Sequence, residues 1–294
     1  MNIEKPPKII RSPIISCSRR TDIPAFLMDW LIDMIKIGYV DVVNPYNKNQ
    51  ISRISLKPSD VKCWVFWSKN FKNFIEAFQS KNRLFNQYNG YYFQFTINSP
   101  SELERNVKIS LEERFKQLEW LLEQFGDQSV SFRFDPIILY KDQNSKIIKS
   151  NLEKFEYIVK SVASLGINEM IFSFATLYSK VKKRMRKRNK VPIELSFQKK
   201  KEILTKLLQV CNKNNIKMKA CCQPELVQIE GIEQAHCIDA YKIEKITGYE
   251  IPKIKDTGQR ENCGCYKSRD IGGYDGIFRC KHDCDYCYAS PRKE

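Results

Sequence analysis

The chain has 294 residues, 42% of them apolar, enough for one large domain or two small ones and too hydrophobic for a disordered polymer. No apolar run approaches the roughly 20 residues of a membrane span, and the opening stretch MNIEKPPKIIRSP lacks a secretory signal, so a cytoplasmic protein without a membrane partner is expected. The net charge of +16 raises the prospect of a polyanionic partner, nucleic acid first, although solubility alone accounts for it equally well.

Short β-branched or aromatic runs that stop at Asn, Pro, Ser or Asp predict buried strands over 14–17, 39–43, 63–67, 91–97, 130–134, 170–174 and 216–222. Between them the apolar period lengthens to three and four. Leu111, Phe115, Leu118, Leu122 and Phe125 share one helical face ahead of Gly126, and Ile203, Leu204, Leu207, Leu208 and Cys211 share another. Helices are also predicted over 23–37, 71–88 and 152–165. Strands alternating with helices imply parallel βαβ units, and seven of them point to a (β/α) barrel, full or partial, of the TIM type. The stretch 249–254 is a weak eighth strand. The domain reading is a barrel over 1–255 and a cysteine-rich tail over 256–294, packed on the barrel's C-terminal face.

On that face the polar residues ending each strand become the site inventory. They are Ser18, Arg19, Arg20 and Asp22, then Asn44 and Asn47, then Ser68, Lys69 and Asn70, then Asn98, then Arg133 and Asp135, and finally Gln223 and Glu225. A cap or turn role is an alternative for each; Asp22 suits the N-cap of the helix beginning near Ile23.

Eleven cysteines, an odd number, with only His236 and His282 as histidines, suggest metal or redox chemistry in a reducing compartment. Cys280, Cys284 and Cys287 follow at spacings that wrap one loop around three corners of a 4Fe-4S cluster. The fourth iron would then be open to S-adenosylmethionine, whose reductive cleavage yields a 5′-deoxyadenosyl radical. A zinc knuckle completed by Cys263 or Cys265 fits the same spacing. Cys222, Cys237, Cys263 and Cys265 form a second ligand set for an auxiliary cluster or structural zinc. Cys17, Cys63 and Cys211 read as core, and Cys221, next to Cys222 on a regular strand, would face away from it.

The segments Ser16–Phe26, Val65–Asn70, Tyr92–Asn98, Phe132–Ile137 and Cys263-Gly-Cys265 leading into Asp270–Tyr274 resemble a bacterial family catalogued as a domain of unknown function (number eighteen forty-eight). The resemblance implies a C-terminal cysteine cluster similar to that of radical S-adenosylmethionine enzymes, and no particular substrate. Tyr286 matches the aromatic found before the last cysteine in those enzymes, and Tyr286-Cys287-Tyr288 looks like the spore photoproduct lyase branch. The radical-enzyme loop usually follows the first strand, whereas here it lies at the tail. In a closed barrel the first and last loops are neighbours, so Ser18 to Asp22 would meet the methionyl group, with Arg19 or Arg20 on its carboxylate and Asp22 on its amine.

The run 180–190 carries eight basic residues in eleven positions and follows the sixth predicted strand. As a loop over the catalytic face it would attract a nucleic-acid or nucleotide substrate; as a solvated loop it would do nothing specific. Arg133 and Asp135, two apart on one strand, would bind cofactor or substrate or close an internal salt bridge. The expected activity is thus radical S-adenosylmethionine chemistry fed by a flavodoxin or ferredoxin. The rivals are a zinc-stabilised nucleic-acid-binding protein without catalysis and a hydrolase using Asp135 or Glu225 with a divalent ion.

Overall fold

A computed structural model describes residues 7–45 and 47–289. Eight strands form one sheet: β1 (Ile14–Cys17), β2 (Cys63–Ser68), β3 (Tyr91–Thr96), β4 (Val130–Ile137), β5 (Glu169–Phe174), β6 (Lys217–Ala220), β7 (Ile232–Gln234) and β8 (Arg269–Asp270). All pairings are parallel, in the order β7-β6-β5-β4-β3-β2-β1-β8. Consecutive strands are thus neighbours, and β8 lies beside β1. Among the described residues β7 and β8 do not pair, so the parallel sheet is open and the full form of the expected full or partial barrel is not formed.

The side-chain alternation explains the open seam. One face carries Ile15, Trp64, Phe66, Phe93, Phe132 and Phe172, which form the larger core with the covering helices. There Phe71, Phe74 and Phe93 meet edge-on, and each fully buried Phe contributes about 1.5–3 kcal/mol. The other face presents Ile14, Cys63, Val65, Tyr92 and Ile171, and the chain between β7 and β8 packs against them. That chain includes the helix Ala240–Thr247, whose Ala240 and Ile243 are fully buried. Gln94 Nε2 donates to the Cys237 carbonyl at 2.8 Å, and Lys242 Nζ to Ser131 Oγ at 3.1 Å, fixing the connection across the middle of the sheet. The interior of a closed eight-stranded barrel is filled by side chains alone, so a covering helix requires a gap.

Other expectations shift with this. The run 39–43 is a strand, Tyr39–Asn44, but it pairs antiparallel with Asn47–Ser55 in a separate three-stranded sheet, which takes Asn44 and Asn47 off the main rim. The stretch 249–254 is not a strand. The helix expected over 23–37 divides at Leu27 into Ile23–Phe26 and Met28–Ile37. The basic loop is a helix, Ser179–Lys187. The segment from 256 onward supplies β8, and Asp256 accepts from Arg19 at 3.5 Å. The ends of the two expected domains, 1–6 and 290–294, lie outside the described residues. No described helix is long and apolar enough to cross a membrane.

Candidate metal centres

The tail loop 280–287 is seated over the C-terminal ends of β1 to β4 by a polar network. Asp22 caps the helix Ile23–Phe26 through Ala25 N at 3.0 Å, and the same Oδ1 accepts from Ser68 Oγ at 2.7 Å. Its Oδ2 accepts from Lys69 N at 3.1 Å and faces His282 Nε2 at 3.0 Å. Both carboxylate oxygens are therefore spent on structure, and the capping role is the one observed. Glu104 is buried and accepts from Lys69 Nζ at 3.0 Å, from Asn98 Nδ2 at 2.7 Å and from the Tyr286 hydroxyl. Burial pushes the Glu104 carboxyl up, but Lys69, Tyr286 and Asn98 together hold it below its ordinary range. Asn98 also accepts from Asp135 N at 3.0 Å, tying the end of β3 to that of β4.

The basic helix clamps the loop from the other side. Val181 and Met185 are fully buried and pack in one cluster with Cys284 and Tyr286. Arg184 Nε donates to the Asp285 carbonyl at 2.9 Å, and its other nitrogen donates to the Cys287 carbonyl. Arg188 donates to the Asp283 carbonyl at 3.1 Å and pairs with both Asp283 and Asp285. Asp285, fully buried, also meets Arg105 at 3.2 Å and Lys190 at 3.8 Å. Lys180, Lys183, Arg186 and Lys187 are left exposed.

Within this frame Cys284 is buried, while Cys280 and Cys287 are half-buried, and the three thiols lie within electrostatic reach of one another. Burial, with Asp22 nearby, pushes Cys280 up to about 12, and burial beside Glu104 raises Cys284 as well. Three soft donors from one loop match a thiophilic cluster in chemistry. The buried His282 Nδ1 beside them has no hydrogen-bond partner.

A second gathering of sulfur stands at the open seam. Cys221 Sγ lies 3.2 Å from Cys237 Sγ and 3.8 Å from Cys222 Sγ. Cys265 lies close to both Cys237 and Cys263, and Cys263 lies close to Cys222, so the five thiols stand in a ring. Cys221 was expected to face away; β6 ends at Ala220 and Cys222 adopts φ 56°, which turns both sulfurs inward. The thiols of Cys237 and Cys263, with Ile238 N and Arg19 also nearby, hold Cys265 well below the usual thiol range despite burial. Among the described residues no group of three or more His, Cys, Asp or Glu side chains stands in a geometry that could hold a metal ion; the ring sulfurs touch as thiols do.

Trp67 packs against the seam cluster, with the Arg19 guanidinium 5.4 Å and the Arg133 guanidinium 5.3 Å from its ring centre. Arg133 donates to Cys237 Sγ at 2.9 Å and pairs with Asp135, which also accepts from Ser173 Oγ. Cys237 and Asp135 keep the Arg133 guanidinium charged although burial opposes it. Ser18 binds Asp270 at 2.7 Å, and Arg20 donates to the Gly272 carbonyl at 3.1 Å, so both brace β8. Glu225 is elsewhere, paired with Lys200 at 3.3 Å on the flanking helix Phe197–Lys213. Sequence reasoning missed Glu104, His282, Arg184 and Arg188 as parts of the tail site. Only the Val181/Met185 spacing hinted at the clamp.

Fold and site together define a parallel α/β protein with two thiol gatherings on the rim of one open sheet. The chain belongs to the family described as a domain of unknown function (DUF1848), whose model matches residues 14–289. No curated protein and no solved structure matches it.

Proposed function

We propose that this protein is an iron–sulfur enzyme of the radical S-adenosylmethionine type, built on a (β/α) barrel opened at one seam. The observation that carries the reading is the seating of Cys280, Cys284 and Cys287 over the ends of β1 to β4, the rim where such folds place their chemistry. Held by those three thiolates, a 4Fe-4S cluster would supply one-electron reduction of S-adenosylmethionine at its open iron. The protein's own part is to hold the loop. Asp22 and Glu104 fix it from the strand ends, and Arg184 and Arg188 from the basic helix. The neighbouring Arg133–Asp135 pair, with Ser173, offers polar contacts to a cofactor or substrate.

Lys180, Lys183, Arg186 and Lys187, exposed beside the loop, favour a phosphate-bearing substrate such as a nucleic acid or nucleotide, and a flavodoxin or ferredoxin is the expected reductant.

The test is protein purified and reconstituted without oxygen, assayed for iron and sulfide, with reduced-state EPR spectra recorded with and without S-adenosylmethionine. A four-iron signal that changes on adding S-adenosylmethionine and vanishes in Cys284→Ala is expected. Stoichiometric zinc without iron, and no response to S-adenosylmethionine, would overturn the reading in favour of the zinc-stabilised binding protein.

A further inference from the structure

Five cysteines from three separate stretches converge at the one place where the sheet fails to close. Cys221 and Cys222 follow β6, Cys237 follows β7, and Cys263 and Cys265 precede β8. Packing alone gives no reason for sulfur at every one of these positions, because Cys17, Cys63 and Cys211 fill core sites singly. The backbone is also shaped to bring them together. His236 Nδ1 meets the Gly264 carbonyl, and a Cβ on Gly264 would stand 2.9 Å from the Ala235 carbonyl oxygen. Only glycine allows Cys263 and Cys265 to flank that contact so closely.

Two guanidiniums border the ring. Arg133 donates to Cys237 Sγ at 2.9 Å, and Arg19, close to Cys263 and Cys265, has a buried Nη2 without a hydrogen-bond partner. A buried guanidinium nitrogen with no acceptor is costly unless a negative group faces it. Asp256 meets only Nη1 of Arg19, at 3.5 Å, and four thiolates around a divalent metal or a four-iron cluster would leave a net charge of about −2 to balance the rest of the guanidinium.

We propose that Cys222, Cys237, Cys263 and Cys265 bind a second thiolate-held metal centre, separate from the tail loop, which staples the open seam between β7 and β8. Cys221 is the fifth thiol, hydrogen-bonded to ligand sulfurs. The centre ties the ends of β6 and β7 to the segment entering β8, in place of the missing ladder. Because the ring is buried in an apolar cluster, the role is structural.

The test uses the full chain with Cys280, Cys284 and Cys287 all changed to Ala, purified without oxygen and then offered iron with sulfide or zinc alone. One metal centre per chain is expected to remain, with X-ray absorption showing sulfur-only protein ligation. Sulfide accompanying iron identifies a cluster, and zinc without sulfide a mononuclear site. Adding Cys263→Ser and Cys265→Ser should remove that metal, whereas Cys211→Ala should leave it. The same pair of serines in the otherwise native chain should spare the tail iron, so this inference and the proposed function fail independently. A tail variant that binds neither metal, or that carries a Cys221–Cys237 disulfide instead, would overturn the proposal.

Discussion

The two cysteine gatherings are held in opposite ways. The tail loop is kept in place by charged and hydrogen-bonding side chains from outside it, and two of its three sulfurs are half-buried. The ring at the seam sits in an apolar cluster, and its sulfurs touch one another. A centre that must exchange a ligand needs an accessible sulfur cage with an external frame, and a centre that only joins strands is best enclosed. On the proposed reading, the difference suits turnover at the first and architecture at the second.

Perturbing each frame separately should break or sharpen that division. Asp22→Ala removes the shared partner of Ala25 N, Ser68 Oγ, Lys69 N and His282 Nε2 beneath the tail loop; about 3–4 kcal/mol of stability should be lost in denaturant titration, together with tail iron. If tail iron and affinity for S-adenosylmethionine survive, the external frame is not what holds the site. Next comes Arg188→Ala, which strips one partner from the fully buried Asp285. About 2–3 kcal/mol is expected, softened by Arg105 and Lys190, with the seam metal unchanged.

Glu169 tests the other side, because Lys242 on the covering helix and Lys219 on β6 both bind it. Burial pushes its carboxyl up, but the two lysines prevail and hold it down to about 2. Its stabilisation is therefore complete above the ordinary carboxylate range and is lost as pH falls toward 2. Glu169→Gln should cost on the order of 2 kcal/mol at pH 7, and melting curves of variant and native chain should converge between about pH 4.5 and 2. A constant gap would show that the charge is not the cause. The smallest effect belongs to the outer face of the clamp helix. Replacing Lys183, Arg186 and Lys187 with Ala should change stability by less than about 0.5 kcal/mol, yet lower the salt dependence of any nucleic-acid binding by two to three phosphate contacts.

Much of this was legible from residues. The run Ile14–Cys17 is β1 as expected, and the helix ahead of Gly126 runs Leu111–Phe125 with Ser110 and Glu113 closing a capping box. What escaped were elements too short for periodicity. β7 and β8 have three and two residues, and their membership depends on distant partners rather than their own pattern. The clamp helix was hidden by its charge, since only Val181 and Met185 mark a buried face among six cations. The tail cysteines were visible in their spacing, but the support of their loop came from Asp22, Glu104 and Arg188, whose roles are set by the fold.

The pairing of β8 with β1 also sets an order of events. Arg269 and Asp270 are added to Ile15 and Ser16 across some 250 residues of intervening chain. During synthesis the outer edge of β1 stays open until residue 270 has emerged, although β2 can cover its other side early. An open strand edge is a template for misassociation, and contacts this distant in sequence form late. The segment that carries the cysteines of the tail is thus also the segment that ends the exposure of the first strand.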